Sequence, residues 1–297
     1  GMNNVALGYN ALGAEVGNSA NVAIGTHALE DQTSSSGSAY NTAVGHAAGR
    51  NVTTGANNTL VGGLAGDAIT TASNNSIYGS GAGGSITTAP HNVAIGYAAL
   101  HSATDQGYNV AIGSTALYST VNGGKAVAVG YKALNAMNPS SDTDTFNVAI
   151  GYEAGKAVTT GIYNTLLGGL AGDALTTGGS NVAIGLNALG AEDTGSDSIA
   201  IGRSALLNQN YDGSAYNIAI GRDASKEVTT GIKNVILGGK AGDALTTGSN
   251  NIIIGYEAAA SAVDVSNEIT LGDANISAFR CADQSIAALS DGRDKSD

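Results

Sequence analysis

The pentapeptide Asn147-Val148-Ala149-Ile150-Gly151 recurs in sixteen close copies, whose last glycines are residues 8, 25, 45, 62, 79, 96, 113, 130, 151, 168, 185, 202, 221, 238, 255 and 272. Twelve of the fifteen steps between these anchor glycines are 17 residues; the others, of 20, 21 and 19, are insertions. So regular a period means stacked units, none able to bury a core alone, that provide one another's core. The repeat occupies residues 1–275 as one β-solenoid domain, overriding the two domains that 297 residues would otherwise suggest.

Positions within a rung are counted from the anchor glycine as zero. Position −1 is apolar in all sixteen copies, and position −3 is Val, Ile, Thr or Ser. The two alternate, so they share one face of a short strand, and their β-branched character favours strand over helix. Position −2 points to the other face and is mostly Ala, with Leu60, Ile77, Leu166, Ile236 and Ile253 as larger exceptions and Thr270 as the polar one. Both faces are therefore apolar, which describes a strand covered on both sides. The coil interior covers one side; the other requires a partner, and this is the physical reason to expect an oligomer.

Position −4 is Asn except at Ala126, Ser198 and Glu268, and position +3 is Ala except at Asn275. Stacked asparagines can form an amide ladder, each side chain donating to the next, or mark a turn before the strand; the two roles are compatible. The invariant small residue implies close packing at a corner. A rung therefore reads as strand, glycine bend, second short strand or arc, then a polar outer loop. Asn147, Val148, Ile150, Gly151 and Ala154 exemplify the structural positions, as do the anchors Gly113 and Gly185. Sixteen rungs at about 4.8 Å each make a rod of roughly 70–75 Å. A longer repeat is superimposed: the rungs of Gly151 to Gly202 map onto those of Gly221 to Gly272 with a constant offset of 70. Duplicated blocks extend length, which a spacer needs and a catalytic cleft does not.

The net charge is −12 and no Lys/Arg-rich stretch occurs, so neither nucleic acid nor an anionic membrane surface is an expected partner. No apolar run reaches 18 residues, so no membrane-inserting helix is expected, and no signal peptide is visible at the start. Cys281 is the single cysteine, so no intrachain disulfide can form. The 44 glycines lack a Gly-X-Y period, which excludes collagen.

The Asn-Val-Ala-Ile-Gly rung resembles the head repeats of trimeric autotransporter adhesins and related bacteriophage tail fibres. The resemblance implies a homotrimer of left-handed parallel β-rolls, each strand with one face in its own roll and the other toward the trimer. The 17-residue period departs from the shorter adhesin unit. The C-terminus carries a second resemblance. Glu268-Ile269-Thr270-Leu271-Gly272-Asp273-Ala274-Asn275-Ile276, leading into Ile286-Ala287-Ala288-Leu289-Ser290-Asp291-Gly292-Arg293-Asp294-Lys295, is similar to the junction with an endosialidase-type intramolecular chaperone in tail fibres and tailspikes. It implies an exit segment over 276–289 and the start of a truncated chaperone over 290–297. It also implies self-cleavage at Leu289–Ser290, with Ser290 as nucleophile and Lys295 as its general base.

Other chemistry is weaker. Gly62-Gly63-Leu64-Ala65-Gly66-Asp67 superficially resembles a calcium-binding nonapeptide, but its copies lie 106 and 70 residues apart, so Asp67, Asp173 and Asp243 read as loop or corner residues. His27, His46, His91 and His101 lack metal-ligand spacing and read as surface residues. No metal or cofactor is expected. Tyr9, Tyr97, Tyr131, Tyr152 and Tyr256 share position +1 and read as corner packing or subunit contact ahead of a sugar-stacking stripe. The insertion loops 30–40, 135–146 and 207–216 are the expected receptor contacts. Together these features lead to a non-enzymatic, extracellular part of a phage tail. Its partners would be copies of itself, other phage tail proteins, and a bacterial surface polysaccharide or outer-membrane protein. The alternatives are the head of a bacterial trimeric adhesin, or a polysaccharide-cleaving tailspike, which needs a pair of carboxylates in a cleft.

Overall fold

The computed structural model describes residues 2–33 and 37–278. The chain is an all-β parallel solenoid, and no helix occurs among the described residues. Sixteen three-residue strands, from Val5–Leu7 to Ile269–Leu271, form one sheet in chain order. Each pairs in parallel with the next at the same rung position, as Val148, Ala149 and Ile150 do with Thr165, Leu166 and Leu167. The anchored pattern thus sets the register directly: −3 lies on −3, −2 on −2 and −1 on −1.

The rest of a rung is an arc of turns; no second strand recurs. The reason is backbone conformation at two positions past the glycine. Residues +2 and +4 are left-handed in most rungs, as at Glu153 (φ 53°) and Gly155 (φ 58°). This region costs an L-residue roughly 1–2 kcal/mol. It is held because it aims successive N–H groups along the rod: Glu153 N donates to Tyr131 O of the preceding rung at 2.8 Å, and Gly155 N to Ala171 O of the following rung at 3.0 Å. The hydrogen-bond ladder therefore continues through the bends.

Anchor glycines stack on one another at φ of about 130–140°, for example Gly113 at 134°, Gly151 at 143° and Gly185 at 133°. A Cβ on Gly151 would lie 2.3 Å from the carbonyl oxygen of Gly168, and one on Gly113 the same distance from that of Gly130. On Gly185 it would come within 2.6 Å of the Gly202 carbonyl. Glycine is required here by close backbone stacking as well as by φ.

The interior is filled by positions −2, +3, +4 and +7. Ala149 and Ala154 are fully buried, as is nearly every −2 and +3 residue. Side-chain volume is traded among these positions. Where +4 is Leu (Leu29, Leu100, Leu117, Leu134, Leu189, Leu206), −2 is Ala. Where −2 is Leu60, Ile77, Leu166 or Ile236, +4 is Gly, and where it is Ile253, +4 is the small Ala259. Gly172 shows why: a Cβ there would sit 2.8 Å from Leu166 Cδ2 and 2.8 Å from Leu175 Cδ1. Large groups thus alternate around the coil to keep its cross-section filled.

The asparagines at −4 are buried and do more than the expected ladder. Asn147 Oδ1 accepts the backbone N–H of Asn164 at 2.9 Å, and its Nδ2 donates to Gly161 O, three residues ahead of Asn164, at 2.7 Å. One side chain thus closes the turn of the next rung from below. Direct amide-to-amide bonds also occur, as from Asn58 Nδ2 to Asn41 Oδ1 at 3.2 Å, but the backbone bond is the recurrent one.

Candidate interaction face

With −2 turned inward, −3 and −1 turn outward, and they remain partly or largely exposed in every rung. Ile95, Ile150, Leu167, Ile220 and Ile254 are among the exposed −1 residues. Two further columns border this apolar face. On one side lies +1, with Tyr9, Tyr97, Tyr131, Tyr152 and Tyr256 exposed. On the other lies −5, just before the buried asparagine, with Tyr40, Tyr108, Phe146, Tyr163 and Tyr216 exposed. Among the described residues, the exposed large hydrophobic side chains all fall in these four columns except Met2, Val16, Leu64, Tyr118, Val263 and Ile276.

The rings of the −5 column stack along the rod. His91 and Tyr108 have centroids 5.0 Å apart, and Phe146 and Tyr163 are 5.9 Å apart, both pairs near parallel. Lys125 Nζ lies 5.5 Å from the Phe146 ring and 2.5 Å from Asp144 Oδ2. In the +1 column Tyr131 and Tyr152 stack at 5.4 Å, and Lys132 Nζ is 5.2 Å from the Tyr131 ring. Because these rings face one another, sugar-stacking faces are used up where the stack is continuous, and mainly ring edges remain. The −5 column was the part of this face not read from the sequence, although its signal, an aromatic five residues before an anchor glycine, is present. Its residues are left-handed, as Phe146 is (φ 49°), so strand periodicity alone does not extend to them.

The three insertions pair with the preceding rung at one corner, outside the main sheet. Thr143–Asp144 pairs in parallel with Gly123–Gly124, and Ser38 and Ser214 make single parallel bridges to Ser19 and Ser196. The expected receptor loops are thus fastened to the preceding rung at their C-terminal ends. Beside the third such loop, 207–216, Glu192 is wholly buried. Its Oε1 accepts Gly195 N–H at 2.7 Å, and its Oε2 accepts Gln209 Nε2 at 2.9 Å and Tyr211 N–H at 3.3 Å. Gln209 also donates to Ser198 Oγ at 2.9 Å, reaching the position where the asparagine column is broken. Burial raises the Glu192 pKa above the usual carboxylate range. Glu15 occupies the matching interior position near the N-terminus.

An open cavity is lined by Arg203, Asp223, Lys226, Glu227, Lys240 and Asp243. Its charges largely satisfy one another: Asp223 lies 3.6 Å from Arg203 and 3.3 Å from Arg222, and Lys240 pairs with Glu257 at 3.0 Å. Asp173, one of the three repeated loop aspartates, lies 3.3 Å from Lys156, as expected of a corner residue. No cluster of three metal-ligating side chains occurs among the described residues. Ser290, Lys295 and the Leu289–Ser290 bond lie outside the described residues, as does Cys281. Comparisons with protein-family models, curated proteins and solved structures find no match to this chain.

Proposed function

We propose that this chain is the shaft or tip of a homotrimeric phage tail fibre, a rigid adhesive rod that contacts a bacterial surface polysaccharide or outer-membrane protein. The observation that carries the reading is the continuous apolar face of the sheet. It runs the length of the rod, roughly 70–75 Å, and spans about 15–20 Å from −5 to +1. The apolar strip and its two flanking columns together cover on the order of 1,000 Å², which matches one side of a stable protein interface. The aromatic, charge-poor make-up of the face is that of an interface centre. Three such faces turned to a common axis would cover one another. The resulting rod would present its insertion loops outward in three copies, the geometry of multivalent attachment. The tail-fibre assignment and maturation by chaperone cleavage rest on the resemblances of the rung and of residues 268–276 and 286–295.

Sedimentation at high dilution tests this. The reading expects a mass three times the 29.1 kDa chain. A stable monomer would show that the face needs no second copy and would overturn the assignment.

A further inference from the structure

We infer that the copies associate in parallel and in register, the −5 column of one protomer lying against the +1 column of the next at the same rung. This rests on the homotrimer reading above and deepens it. The two columns border the apolar face on opposite sides, up to about 20 Å apart in one chain, so within a protomer they do not meet. Closed rotational symmetry brings one edge of each face against the other edge of its neighbour. It also fixes the axial shift at zero, because any offset repeated around the ring would fail to close.

The residues at the two edges fit that arrangement. At the rung of Gly202, −5 is Asp197 and +1 is Arg203, opposite charges at one level; Arg203 lies 3.6 Å from Asp223 in its own chain, and Asp223 is shared with Arg222. At Gly130 the pair is Lys125 with Tyr131, and at Gly221 it is Tyr216 with Arg222, each a cation against an exposed ring. At Gly151 it is Phe146 with Tyr152. Large residues meet absent side chains at Gly168 (Tyr163 with Gly169) and Gly238 (Lys233 with Gly239). No rung opposes like charges. A one-rung slip of −5 toward the N-terminus would set Lys233 against Arg222, a repulsive contact. Within its own chain Asp197 accepts a hydrogen bond from Ser214 Oγ at 2.5 Å and enters no ion pair among the described residues, so its charge is available to a neighbour.

The test uses the full chain with Cys281→Ser as background, carrying Asp197→Cys and Arg203→Cys together, and a short bis-maleimide as cross-linker. The strand between the two positions holds them too far apart for a bond within one protomer. The inference expects covalent species ending at three chains on a denaturing gel, and none from either single variant. A trimer by sedimentation that does not cross-link overturns the pairing of the −5 and +1 edges and leaves the trimer standing; a monomer by sedimentation overturns both. A second readout guards against disturbed folding. Asp197→Arg is expected to raise the concentration at which the assembly dissociates by about tenfold, and addition of Arg203→Asp to restore it. Equal weakening in the single and double variants would overturn the pairing.

Discussion

A Cβ built on Gly62 would lie 2.6 Å from the carbonyl of Gly79, whereas one on Gly63 meets nothing within 4 Å. The first glycine also sits at φ 135°, closed to most L-residues. Gly62→Ala is therefore expected to destabilise by upwards of about 2 kcal/mol and Gly63→Ala by no more than about 0.5 kcal/mol, measured by chemical denaturation of the two variants. Equal effects would refute the stacking argument. At Glu192 the sign follows from burial. A carboxyl whose folded pKa is raised contributes stability in full below its unfolded pKa, near 4.3, and loses it as pH climbs through the folded value. Thermal unfolding should thus show Glu192→Gln gaining relative to the native chain between pH 4 and pH 8. A constant gap would mean that its three hydrogen bonds fully offset the desolvation.

The rung is the element, and its balance is volumetric. Leu166 fills the space that Gly155 and Gly172 leave open; added Cβ atoms there would lie 2.6 Å and 2.8 Å from its methyl groups. Leu166→Ala leaves a hole bordered by Leu134, Val158 and Leu175, and about 3–4 kcal/mol is the expected cost by denaturation. A cost under about 1 kcal/mol would mean that the coil collapses locally. The asparagine column explains how insertions are tolerated. Two of its three broken positions, Ala126 and Ser198, each precede a rung lengthened by an insertion. At the second, Gln209 links the broken position to the next asparagine: its Nε2 donates to Ser198 Oγ at 2.9 Å and its Oε1 accepts from Asn217 Nδ2 at 2.8 Å.

Over the whole molecule, sixteen repetitions of a marginal unit give a rod with one exposed apolar side, and the proposed assembly rests on that side. The sequence by itself determined the solenoid, its period, the alternation of the two strand faces and the need for glycine at the anchor, because each follows from one short pattern repeated at a fixed interval. It also held the −5 aromatics and the exchange of volume between −2 and +4 in plain letters. Neither was legible, because both depend on knowing which positions share the interior and which border the face. Only the tertiary structure decided those. The left-handed backbone at −5, +2 and +4 breaks the period-2 alternation on which a sequence reading relies, and hydrogen bonds between rungs select that backbone. The same bonds turned the asparagine from a donor to its neighbour's amide into a brace for the next turn, since a buried N–H and C=O of the following rung lie within its reach.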